Sequence, residues 1–223
     1  MGKITQAVIL LSRAVAIACL LTPVVAAGQT SERSPTEGLK ETDRFVKAGK
    51  ATTEFVADAK EEVQKTLTAY NTLVTQPSTN MQKDYKKLVK SVDSMNKKMT
   101  DATTKLGAMQ GAGDTYFQGR SDSIKNIQDP SLQTQAQQRM AQNQKEFAGV
   151  VASLREAGDP LEPFRKQLAD QITFLGSDLN PSATASLKPQ AEKLNAEGAN
   201  VFTKADQALA KANAYFNGLK AQS

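Results

Sequence analysis

The side chains best suited to acid–base chemistry are the adjacent carboxylates Glu61-Glu62 and the isolated Asp170. A general acid and base must reach one substrate atom, whereas neighbours on a helix diverge by about 100°. The spacing of Asp58, Glu62 and Thr66 instead lays them along one helical flank, as expected of surface charge with i,i+4 partners. A second candidate is the glycine run GAMQGAG at 107–113, which invites a phosphate-loop reading. It lacks the Lys-Ser/Thr of a P-loop, the third glycine of a dinucleotide fingerprint and a preceding strand. A weakened or bent stretch of helix is predicted there, at about 1 kcal/mol per glycine relative to alanine. Histidine and tryptophan are absent, and the single cysteine is Cys19. That inventory excludes His-based triads and ordinary zinc or copper sites. No catalytic, cofactor-binding or metal residue is assigned, no cofactor is expected, and the chain reads as non-enzymatic.

The N-terminus has its own pattern. Lys3 and Arg13 are the only charges before Glu32, and AVAIACLLTPVVAA at 14–27 is apolar and ends in small residues. A basic start, a short apolar run, and Val25 and Ala27 ahead of Gly28 predict a signal peptide over 1–27 and export, to the periplasm of a bacterium. A spanning helix needs about 20 apolar residues, and extending this run upstream would bury Arg13 at roughly 2.5–3.5 kcal/mol. A lipid anchor is the alternative, since Ala16-Ile17-Ala18-Cys19 loosely resembles a lipobox, but the apolar run continues past the cysteine. Membrane attachment is expected only if Cys19 is lipidated. Cleavage would leave 26 basic against 23 acidic residues, a net charge of +3 that is too small and diffuse to imply nucleic acid. The cleaved chain would carry no cysteine and would have to be held by its own core.

The chain beyond residue 27 is expected to be all-α. Residues 28–38 (GQTSERSPTEG) read as a disordered lead-in, and 39–220 as one bundle of about four long antiparallel helices with coiled-coil character. The first helix is expected over 39–75, where Phe45, Phe55, Val63, Leu67 and Tyr70 recur near the 3.6-residue period. Gln76-Pro77-Ser78 ends it, with Ser78 able to cap the next.

The second helix has the sharpest pattern. Met81, Tyr85, Leu88, Val92, Met95, Met99, Ala102, Leu106 and Met109 alternate steps of four and three, a knobs-into-holes signal. Methionine adapts to irregular gaps, so this stripe reads first as core and second as a promiscuous binding face. Asp129-Pro130 closes the segment.

The third helix is expected over 131–176, interrupted at GDPLEP (158–163) by a kink or a clean break. Asp159 and Glu162 have capping-box spacing, Pro160 suits the first helical position, and Pro163 removes one backbone bond. Glu162 and Asp170 are expected to cap and pair, and Gly176 can end the helix in a left-handed cap. Asn180-Pro181 is a strong restart for a fourth helix over 181–219, which Pro189 should bend or divide. Short connections make consecutive helices antiparallel, and segments of this length extend roughly 55–70 Å.

One stretch carries a resemblance. Glu162-Pro163, then Asp170-Gln171, Phe174-Leu175, Leu179-Asn180 and Ala185-Ser186-Leu187 resemble the signature of domain of unknown function 2959. The resemblance implies a bacterial envelope protein with a signal or lipoprotein leader followed by helix throughout. It supplies no catalytic or binding residues. The chain departs from the pattern in having no cysteine at the leader's end, and in Pro181 and Pro189.

The expected function is interaction with an envelope protein or polymer. The alternative is binding of a lipid, hydrophobic ligand or unfolded client through the methionine-rich helix. The heptad pattern is equally compatible with a homo-oligomer.

Overall fold

In the computed structural model the described residues are 35–76 and 78–221, all within one unit of the chain (Arg33–Ser223). The expected signal peptide over 1–27, with Cys19, and most of the expected lead-in lie outside them. Six helices account for nearly all of the described residues: α1 (Pro35–Thr75), α2 (Met81–Lys125), α3 (Pro130–Glu156), α4 (Leu161–Ser177), α5 (Pro181–Ser186) and α6 (Lys188–Ala221). No strand occurs among the described residues. The all-α antiparallel bundle expected from periodicity is present: α1 packs along both α2 and α6, and α3 and α4 run in succession against α2 and α6. Helix α1 starts at Pro35, four residues before the expected boundary, because proline suits a first helical position.

Polar ties fix the register of α1 against α2. Thr52 donates to the Lys105 carbonyl (3.0 Å), Lys98 pairs with Asp58 (2.7 Å), and Thr66 donates to the Ser91 carbonyl (3.1 Å). The residue numbers in these pairs sum to 156 or 157 between residues 52 and 66 of α1, so over that stretch the two helices run antiparallel without a slip. Exposed ion pairs contribute at most about 1 kcal/mol each. The threonines are buried, and their hydroxyls are satisfied across the interface.

The core is two clusters stacked along the bundle. One is aromatic: Phe45 is fully buried, with ring centroids of Phe147 at 4.9 Å, Tyr116 at 5.0 Å and Phe216 at 5.3 Å. The other is mainly aliphatic, around Val63, Leu67, Leu73, Leu88, Phe164 and Leu194. The α2 stripe serves both. Leu88, Met95 and Met109 are buried, while Met81, Tyr85, Val92, Met99 and Leu106 are half-buried against a cluster.

Helix ends correct several local expectations. Asn80, not Ser78, caps α2 by accepting from the Lys83 amide (3.0 Å), while Ser78 bonds the Asp84 carboxylate. Helix α2 ends at Lys125 with Asn126 in the cap position, ahead of Asp129-Pro130, and Asp129 caps α3, accepting from the Ser131 and Leu132 amides. The third helix is broken rather than kinked. Asp159 does not cap α4: Pro160 holds the cap position at φ −74°, ψ −9°, and no side-chain bond is made there. A capping side chain needs an extended cap residue, whereas the chain through Ala157 and Pro160 stays in right-handed helical geometry. Pro160 is therefore one place before the first helical position, and Glu162 pairs with Arg165 (3.3 Å) rather than reaching back. Pro163 comes within the first turn, where a missing N–H is cheap.

Asn180 and Pro181 behave as expected, with the Asn180 side chain accepting from the Ala183 amide (2.9 Å). Leu187 then separates α5 from α6 just ahead of Pro189. Gly176 is not a left-handed cap. Helix α4 runs past it to Ser177, and a Cβ there would stand 2.5 Å from the Tyr85 hydroxyl, which donates to the Ile172 carbonyl. Glycine is needed for that close approach.

Candidate functional site

The carboxylates singled out by residue type do not converge. Glu61 and Glu62 both pair with Lys65 (2.8 and 2.9 Å), Asp58 pairs with Lys98, and Asp170 is exposed on α4. The bond from Lys65 chiefly holds the Glu62 carboxyl below its ordinary range, and Glu61 together with Glu62 holds the Lys65 ammonium above its own. The glycine run lies inside unbroken α2 and forms no loop. Its glycines differ in purpose. Gly107 and Gly111 face open space, whereas a Cβ on Gly113 would stand 2.5 Å from the Phe147 ring.

An apolar concavity lies where the two core clusters meet. A cavity of about 200 Å³ opens at the level of the α3–α4 break. Each of its four walls carries a small residue: Ala59 on α1, Ala102 on α2, Ala157 with Gly158 at the break, and Ala205 on α6. Val56, Leu106 and Leu154 bound it on the aromatic side. Val63, Met99, Leu161 and Val201 bound it on the aliphatic side. Lys60, Thr103 and Glu162 supply the polar part of the lining, and both charges have partners, Lys60 with Asp206 and Glu162 with Arg165. Proline and glycine at 158–163 therefore interrupt the wall of an apolar chamber. Of the residues singled out in the sequence, the structure brings Val63, Met99, Ala102, Leu106 and Glu162 to this chamber.

A family model described as "Protein of unknown function (DUF2959)" matches residues 31–219. The chain belongs to this family. No curated protein and no solved structure matches it. The DUF2959 match spans every described helix almost to its end, so the chamber and both clusters lie within the family domain.

A second surface feature of this DUF2959 domain is a basic cleft. Lys83, Lys86, Lys87 and Lys90 line it beside Asn80 and Gln82, at the start of α2. All four are exposed at i, i+3, i+4 and i+7 spacing, and among the described residues only Lys87 has an ion-pair partner, Asp84 at 3.1 Å. The spacing is plain in QKDYKKLVK, but a modest net charge of +5 spread along the whole chain draws no attention to a local cluster. The chamber had a signal too, in the small residues that recur at mid-length in each apolar stripe. Which small residues meet across a bundle depends on register, which one sequence does not supply.

A buried polar pair closes the aliphatic cluster. Tyr70 is fully buried and donates to the Gln171 side chain. Burial pushes the Tyr70 phenol up to about 12, and burial chiefly raises Tyr215 further. Below pH 10 the phenol is neutral in both folded and unfolded chains, so its contribution is intact. Above that the unfolded chain loses its proton first, and stability falls by up to about 1.4 kcal/mol per pH unit until the folded phenol titrates near 12. Denaturant titrations from pH 9 to 12 are expected to show this alkaline loss. Tyr70→Phe should remove part of it, and an identical pH dependence in the variant would contradict the assignment.

Proposed function

We propose that this DUF2959 protein is a non-enzymatic, exported component of the bacterial envelope that acts by binding. The observation that carries the reading is the lysine cleft on α2, an exposed positive face whose charges are mostly not neutralised by neighbours. Such a face attracts a polyanion through solvent-screened electrostatics, and an envelope polymer bearing carboxylate or phosphate groups is the matching partner. The leader pattern at 1–27 supports export to the periplasm.

Co-sedimentation with isolated envelope fragments tests the reading. The wild-type chain is expected to pellet at low ionic strength and to be released by salt. Lys83→Glu, Lys86→Glu and Lys90→Glu together should abolish pelleting with an unchanged circular-dichroism spectrum. Equal pelleting of the triple variant, or none by the wild type, would overturn it.

A second reading, uptake of a hydrophobic ligand, is favoured by the chamber at the helix break.

A further inference from the structure

We infer that the chamber at the α3–α4 break binds the hydrocarbon end of a small single-chain amphiphile with an uncharged polar head. This deepens the hydrophobic-ligand reading and is independent of the lysine cleft. The chamber has about 200 Å³ of space, and an engineered apolar cavity of about 150 Å³ in another protein is large enough for benzene. A single ring or short alkyl chain therefore matches its size. Its walls are alanine, valine, leucine and methionine from α1, α2, the break and α6, so hydrocarbon is the chemistry they recognise.

The polar rim sets the head group. Lys60 and Glu162 bring opposite charges, each already paired, and Thr103 adds a hydroxyl. A charged head would have to displace Asp206 or Arg165 from its partner. A hydroxyl can bond to the rim without doing so. The break gives access. At Ala157–Pro160 the wall is a turn, Gly158 is exposed, and the Gly158 and Leu161 amides are tied only to carbonyls three residues back. Met99 adds an unbranched side chain that can re-pack around chains of different length.

The test is an NMR titration of the full chain, with alanine and methionine methyls labelled, against linear alcohols from n-butanol to n-octanol. Shifts are expected at Met99, Ala59, Ala102, Ala157 and Ala205, and not at Met81 or Met140. Affinity should tighten about fourfold per added methylene and then level off at the chain that fills the chamber. Octanoate should bind at least about tenfold more weakly than n-octanol. Ala102→Leu places a side chain in the chamber and is expected to abolish the Met99 shift while the aromatic-cluster methyls stay native. If that variant does not fold, xenon applied to the wild type serves instead and should perturb the same methyls. Shifts scattered over the surface methyls, an affinity that rises with chain length without levelling, or a silent Met99 under xenon would each overturn the proposal. Loss of envelope co-sedimentation alone would leave it standing.

Discussion

Phe45→Ala is expected to lower the unfolding free energy by about 3–5 kcal/mol, the usual cost of emptying a buried phenylalanine site. Phe45 has no exposed surface, and five aromatic rings surround it, from α2, α3 and α6. Those rings belong to different helices and cannot collapse together without moving backbone, so the cavity would persist. Domains of this size shift by roughly 2–4 °C per kcal/mol, so the melting temperature should fall by about 6–20 °C. Phe55 is the control. It is only half-buried and lies under the Lys105 ammonium at 4.9 Å, and its truncation should cost well under half as much. Equal losses for the two variants would mean that Phe45 is not the hub of the aromatic cluster.

Gly49→Ala is expected to destabilise the protein although alanine is the better helix former. Propensity alone favours alanine by about 0.8–1.0 kcal/mol. A Cβ at 49 would stand 2.3 Å from the tip of the Phe216 ring, which is itself 1% exposed and cannot swing into solvent. Overpacking of this kind costs about 1–3 kcal/mol, and a ring held on several sides puts the cost toward the upper end. The net loss is then about 1–2 kcal/mol. Gly107→Ala and Gly111→Ala meet nothing within 4 Å and should each stabilise by up to about 1 kcal/mol. Urea titration of the three variants checks the contrast. Phe216→Leu in the Gly49→Ala background should recover part of the loss, because it removes the atoms that clash.

The periodicity of apolar residues was enough to read the helices, since a stripe such as Leu88–Met95–Met109 has no other way to be buried. The restart at Asn180-Pro181 was legible because both residues act locally, through one side-chain bond and one fixed φ. Asp159 was misread for a matching reason. Its capping role required an extended backbone, and the turn at 157–160 keeps helical dihedrals so that α3 and α4 continue along α6. Gly176 looked like a terminator but serves Tyr85, a residue 91 positions earlier, so no local pattern could disclose it. The lysine cleft was readable in principle. The chamber was legible only as small residues within each stripe, because it exists where Ala59, Ala102, Ala157 and Ala205 meet at one height, and that depends on the register of four helices.

Amide hydrogen exchange on the full chain, resolved to short peptides, bears most directly on a bundle whose second helix is continuous and whose third is broken at the chamber. Slow exchange is expected without interruption from 88 through 119, glycines included, with a sharp lapse confined to 157–161. Rapid exchange across 107–113, or protection running unbroken from 150 to 170, would contradict it.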